Sequence, residues 1–207
     1  MSAPKVHVLV DGYSVLEGDG KSMRANCTCS VVEGPPHIIV DTMTAWDAEK
    51  VLQGLSSLGL QPEDISYAVA THGHCDHVGN LNLFQAATHV VGTCVSRRDV
   101  FTLHDFDSEP YKLSEFVDVI ATPGHTSEDV SVRVRSRHQG LVIIAGDLFE
   151  REEDIRDPSL WRSAGSQDPD RQMANRRRVL AEADLVVPGH GPMFAVTAEH
   201  RRLESER

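Results

Sequence analysis

The chain has 207 residues and a formal net charge of -11 at pH 7, a length that supports one domain with a real core and a balance that argues against nucleic-acid binding over the whole surface. No apolar run is long enough to span a membrane, and Met1–Lys5 has no apolar leader core, so a location inside the cell is expected. The four cysteines do not form a disulfide framework, since Cys27 and Cys29 flank a single residue while Cys75 and Cys94 stand alone, and that usage fits a reduced compartment.

Lys5–Val10 alternates and is rich in valine, which predicts a strand. Asp11–Arg24 is polar, with Gly12, Gly18 and Gly20, and reads as a hairpin loop long enough to be mobile, either a plain connector or one that overhangs a site, with Tyr13 as the aromatic residue that would face substrate. Asn26–Glu33 and His37–Asp41 are the next predicted strands, turning at Gly34-Pro35-Pro36. Cys27 and Cys29 share one strand face and are expected to fill a core rather than hold a metal. Asp41 follows Ile38-Ile39-Val40 and either caps a turn or orients the groups of a nearby site. Trp46–Leu58 has helical spacing, with Val51, Leu52, Leu55 and Leu58 as its apolar stripe and Gly59 as the stop.

Tyr67–Ala70 predicts a buried strand, and it runs into Thr71-His72-Gly73-His74-Cys75-Asp76-His77-Val78-Gly79-Asn80. Three imidazoles and a carboxylate occupy His72 to His77, the donor types zinc favours. Leu81, Leu83 and Phe84 predict a helix that ends near Gln85, and Thr88–Val91 predicts a strand. Further donors follow at His125 in Thr122-Pro123-Gly124-His125-Thr126, Asp147 in Ala145-Gly146-Asp147, and His190 in Val187-Pro188-Gly189-His190-Gly191. Each lies just past an apolar run, Val117–Ala121, Leu141–Ala145 or Leu185–Val187, so all three are expected at strand ends, with Gly or Pro allowing the turn. Cys75 is expected to point away from such a site. His7, His37, His89 and His138 read as structural histidines, and His104 as a loop histidine. Arg133, Arg135 and Arg137 alternate with valines, as a solvated strand face or as a basic strip for phosphates. Arg171–Ala183 and Thr197–Glu204 predict helices, with Arg176-Arg177-Arg178 mostly exposed.

The order H-x-H-x-D-H, G-H, G-D and P-G-H-G resembles the metallo-β-lactamase superfamily, over nearly the whole chain and with no ligand position missing. The resemblance implies an α/β (α+β) fold, a four-layer αββα sandwich formed by residues 1–207 as a single domain. It also implies two divalent metals, zinc first, with iron or manganese as the other options. His72, His74 and His125 would hold one, Asp76, His77 and His190 the other, and Asp147 would bridge them, with Asp41 supporting from behind. The implied chemistry is hydrolysis by a metal-bridging hydroxide, with Asp76 as the catalytic carboxylate. The superfamily's glycine two residues after Asp41 is Met43 here, which predicts a different turn.

Within the superfamily the chain leaves little room for the C-terminal helical region of hydroxyacylglutathione hydrolases. It also lacks a β-CASP insertion and the long arm of transfer-RNA 3′-end nucleases. The remaining resemblance is to a compact endoribonuclease branch acting on histone pre-messenger RNA 3′ ends, homodimeric, in cytosol and nucleus. Two other readings stay open: a thioester hydrolase of the hydroxyacylglutathione type, and a persulfide dioxygenase using a single iron at His72, His74 and His125. The loops Tyr13–Lys21, Leu103–Tyr111 and Glu150–Gln167 are expected to select between RNA and a small thioester.

Overall fold

The computed structural model describes residues 3–206; the start of the Met1–Lys5 stretch read above for a leader lies outside them. The first half supplies β1 (Lys5–Val10), β2 (Tyr13–Leu16), β3 (Met23–Asn26), β4 (Cys29–Glu33), β5 (His37–Val40), α1 (Ala48–Ser57), β6 (Ile65–Ala70), α2 (Cys75–Val78), β7 (Thr88–Val91), β8 (Cys94–Arg97) and β9 (Val100–Thr102). The second half supplies β10 (Tyr111–Lys112), β11 (Val117–Ala121), β12 (Val130–Ser136), β13 (Gly140–Gly146), α3 (Ser159–Ser163), α4 (Pro169–Glu182), β14 (Leu185–Pro188), β15 (Phe194–Ala195) and α5 (Ala198–Ser205). One sheet has the order β1-β4-β5-β6-β7-β8-β9, the other β10-β11-β12-β13-β14-β15, and β2 and β3 form a separate hairpin.

Strand alternation turns these sheets into four layers. Val32, Ile38, Val40 and Val69 of the first sheet meet Val119, Val132, Val142, Ile144 and Val187 of the second in one central core. Their neighbours Val31, Ile39 and Ala68 face the other way, onto Val51 and Leu55 of α1. Ile143 and Val186 likewise turn outward, onto Val179 and Leu180 of α4. The central strands therefore bury side chains on both faces. That explains why their sequences read as unbroken apolar runs rather than as an apolar–polar alternation. The architecture is the αββα sandwich.

The pairing directions bring the functional turns to one edge. β5 and β6 are parallel, as are β13 and β14, while β11 and β13 share a direction through antiparallel β12. Asp41, the histidine-rich turn, His125, Asp147 and His190 thus all follow the C-terminal ends of strands.

Four expectations are corrected. The helix predicted from Leu81 to Gln85 is only the four-residue α2 and a 3-10 turn at Leu81–Leu83; Leu81, Leu83 and Phe84 all join the α1-side core from that turn, without a helix. The segment 11–24 is not a plain loop, because β2 pairs with β3 from Tyr13↔Asn26 to Leu16↔Met23. Met43 keeps the left-handed backbone a glycine would favour, at φ 59. Its side chain is buried against the α1 core instead of forcing another turn. Arg176 is fully buried rather than exposed.

Candidate metal centre

The histidine-rich turn is held to the first sheet by its neighbours. The Asn80 side-chain amide donates to the carbonyls of Thr42 and Thr44, at 2.6 and 2.8 Å, and Thr42 Oγ1 donates to the His77 carbonyl at 3.1 Å. Helix α4 holds the second sheet's share of the edge. The Gln172 amide donates to the Asp147 carbonyl at 2.9 Å, and the Asn175 amide to the Pro123 carbonyl at 2.7 Å. A Cβ on Gly124 would lie 2.3 Å from Gln172 Cα, so α4 can come this close only beside glycine. At the third turn, a Cβ on Gly189 would sit 1.9 Å from Asp147 Oδ1, and glycine there keeps the carboxylate in place.

These turns converge as two clusters. In the first, His74 Nδ1 lies 2.8 Å from His72 Nε2 and 3.1 Å from His125 Nε2. Asp147 Oδ2 is 3.7 Å from His72 Nε2 and 3.3 Å from His125 Nε2. In the second, His77 Nε2 is 3.2 Å from Asp147 Oδ1, and His190 Nε2 is 3.8 Å from Asp76 Oδ2 and 3.3 Å from Asp147 Oδ2. His72, His74, His125 and Asp147 form one group able to hold a metal ion, and Asp76, His77 and His190 another. Every ligand-type residue singled out in the sequence is thus brought to one place, with Asp147 between the groups.

The surroundings orient the rings. Asp41 Oδ2 is 2.9 Å from His77 Nδ1, and Asp41 Oδ1 accepts from the Thr71 backbone N–H at 2.8 Å. His190 Nδ1 faces the carbonyls of Asn26 and Tyr13, at 3.0 and 3.2 Å. A carboxylate or carbonyl on Nδ1 requires the proton there and leaves the Nε2 lone pair facing inward. Burial, then the charge of neighbouring rings, holds His72 well below the usual imidazole pKa. Burial lowers His125 too, and for both rings the shift is toward the neutral form that binds metal. For His77, burial is outweighed by Asp41 and Asp147, and its pKa is well raised.

A divalent cation fits these residues. The donors are imidazole nitrogens and carboxylate oxygens, and His77 Nε2 and Asp147 Oδ1 are buried without a hydrogen-bond partner. Such atoms are costly unless something positive and electron-accepting completes them. His74 is exposed and the Asp76 side chain is 20% exposed, whereas Asp147 is 5% exposed; His74 and Asp76 therefore form the mouth.

Several residues fall elsewhere. Cys75 is exposed and belongs to neither group, and Cys27 and Cys29 are free thiols within the α1 core. His89 Nε2 bonds the Phe84 carbonyl at 2.9 Å, as a structural histidine. Arg133 and Arg135 both pair with Asp118, at 2.9 and 3.1 Å, so no bare basic strip exists on that strand face. Glu150 opens the loop Glu150–Gln167 expected to select substrate, and the sequence does not single it out within the charged run Glu150-Arg151-Glu152-Glu153-Asp154. It is 2% exposed, accepts from Ser14 Oγ at 3.0 Å and lies 4.0 Å from His190 Nε2. Burial, then Asp147, pushes its carboxyl up to about 8. Its spacing of three residues after Asp147 was the available signal.

A family model described as the metallo-beta-lactamase superfamily matches residues 24–115. Metallo-beta-lactamase domain-containing protein 1 of Xenopus laevis is 41% identical, over 99% of this chain and 87% of that protein. The Homo sapiens protein of the same name is 36% identical, over 97% of this chain and 85% of its own. Among solved structures, a putative metallo-beta-lactamase from Thermotoga maritima superposes with a TM-score of 0.69 at 24% identity, covering 93% of this chain and 99% of that one. An N-acyl homoserine lactone hydrolase with product bound at its catalytic metal centre superposes with a TM-score of 0.69 at 18% identity, covering 92% and 94%. At those identities the two structures speak to the fold alone.

Proposed function

The chain belongs to the metallo-β-lactamase superfamily, and from that premise we propose that it is a two-metal hydrolase that cuts phosphodiester bonds in RNA as an endoribonuclease. The observation that carries the hydrolase reading is the pair of donor groups sharing Asp147, with His77 Nε2 and Asp147 Oδ1 left without hydrogen-bond partners. His72, His74 and His125 would hold one cation, Asp76, His77 and His190 the other, and Asp147 would lie between. Two divalent cations supply a water acidic enough to react near neutral pH, with a pKa of about 7, and a counter-charge for the developing anion.

The protein's own residues do the rest. Asp41 keeps the proton on His77 Nδ1, and the Asn26 and Tyr13 carbonyls keep it on His190 Nδ1, so both Nε2 atoms face the centre. Asp76, whose side chain is 20% exposed at the mouth, would be the carboxylate able to orient the attacking water or take its proton. Leu148, Phe149 and Trp161 seal the floor behind Asp147 from solvent, which strengthens every charge interaction above it.

Two features favour a strand of RNA over a compact thioester. A groove of about 520 Å³ adjoins the His125 turn at Pro123, and its lining includes Arg171, half-exposed with a carboxylate no closer than 3.9 Å. A guanidinium suits a phosphate backbone. Asp107, Glu109 and Glu182 line it as well, so phosphate contact there is local rather than a long-range pull. The branch resemblance also supports RNA, and with it a homodimer in cytosol and nucleus. Among the described residues no helix is long and apolar enough to cross a membrane.

Metal quantitation on the purified chain, followed by parallel assays against single-stranded RNA and an acyl-glutathione thioester, tests the proposal. Two divalent ions per chain and RNA cleavage that a chelator stops and zinc restores would support it. Turnover of the thioester alone would replace it with the thioesterase, and one iron with oxygen uptake would replace it with the dioxygenase.

A further inference from the structure

Glu150 is a buried carboxylate for which neither the superfamily's ligand pattern nor the proposed reaction has a use. Its backbone is clamped at both ends: the N–H donates to Asp154 Oδ2 at 2.8 Å, and the carbonyl accepts from the His190 N–H at 2.8 Å. The side chain is thereby aimed along the His190 turn. There it receives one neutral donor, Ser14 Oγ at 3.0 Å. Its ion-pair contact is His190 Nε2 at 4.0 Å. The neighbouring buried carboxylate, Asp154, is treated quite differently, for it pairs with the Arg176 guanidinium at 2.7 Å. Glu150 thus has one hydroxyl donor and an imidazole 4.0 Å away, where Asp154 has a guanidinium in direct contact.

Asp147, Glu150 and His190 form a third group whose donor atoms lie within metal-holding distance of one another. It overlaps the Asp76, His77 and His190 group at His190. At the shared member Asp147, Oδ1 makes no hydrogen bond and faces His77 Nε2, also without one, at 3.2 Å. We propose that Glu150 is a direct donor to the second metal position, which makes the two positions chemically unequal. This rests on the two-metal reading above. The first position is then rich in nitrogen, with His72, His74, His125 and one oxygen of Asp147. The second has two imidazoles, His77 and His190, against three carboxylates, Asp76, Asp147 and Glu150. Imidazole-rich sites suit zinc, while carboxylate-rich ones accept harder ions such as Mn2+. The second position is therefore the one that takes Mn2+ when zinc is limiting, and Ser14, on the β2–β3 hairpin, holds the Glu150 carboxylate for it.

The test uses the full chain, stripped by chelator, given one equivalent of Zn2+ and then titrated with Mn2+, with free Mn2+ read by its electron paramagnetic resonance signal. The parent is expected to bind one Mn2+ beside the zinc. Glu150→Gln, which keeps the shape and removes the charge, is expected to weaken Mn2+ by about 10- to 100-fold and leave the single zinc in place. Glu150→Asp keeps the charge but shortens the reach, and is expected to weaken Mn2+ as well. Melting of each stripped variant within a few degrees of the stripped parent confirms the fold. Parental Mn2+ affinity in Glu150→Gln would overturn the proposal, and parental affinity in Glu150→Asp would overturn direct contact. A parent that binds one ion in total would instead remove the two-metal reading beneath it.

Discussion

Two buried polar clusters flank Leu148 and Phe149, and they are built on opposite plans. On one side Arg176 is fully buried with Asp154, at 2.7 Å, and with Glu204; it also donates to the Leu148 carbonyl at 2.9 Å and stacks over the Phe149 and Trp161 rings at 4.2 and 5.2 Å. Its charges are answered from within the chain. On the other side the metal-type donors crowd together, and His77 Nε2 and Asp147 Oδ1 face each other at 3.2 Å without making a hydrogen bond. Burial and charge alone therefore do not identify a functional site. A closed cluster ties elements together, here α4, α5 and the loop after β13, whereas a cluster with orphaned donors is completed by something outside the chain.

Breaking each cluster separates the two roles. The largest effect is expected for Asp76→Ala, which should cut hydrolysis by about four orders of magnitude while the metal-free variant melts near the metal-free parent by circular dichroism. Arg176→Ala should do the reverse, costing about 3–5 kcal/mol by stranding Asp154 and Glu204 in the interior and lowering the melting temperature by about 6–20 °C. Its folded fraction should bind metal as the parent does, which equilibrium dialysis would check.

Smaller effects sharpen the contrast. Chelation of the parent should lower its melting temperature, since an ion at a hundred times its dissociation constant adds about 2.7 kcal/mol; the same drop in Arg176→Ala would show the clusters to be independent. Asp41→Asn should weaken metal binding by about 10- to 100-fold, because His77 loses the carboxylate that fixes its proton. Smallest is Asp118→Asn. It frees Arg133 and Arg135, whose side chains are 20% and 46% exposed, and should cost less than about 1 kcal/mol in urea unfolding.

What could be read from the chain and what could not divide along a physical line. Strands such as Val117–Ala121 and Leu141–Ala145 were legible because burial on two faces demands apolar runs. The short helix after His77 was misread because Leu81, Leu83 and Phe84 are apolar without belonging to a helical face. Arg176 looked like its solvated neighbours Arg177 and Arg178, and nothing local distinguishes an arginine whose partners lie 22 and 28 positions away.

The layer count was implied only by the family resemblance, while the sequence by itself determined the strand ends and the identity of the donors. Those follow from side-chain period, turn chemistry and ligand type, all of which are local. Only the tertiary structure decided which donors meet, that Glu150 reaches the same edge, and that Arg176 is sealed away. Those depend on which strands pair and on where α4 lands, and contacts between distant segments leave no periodic trace in the chain.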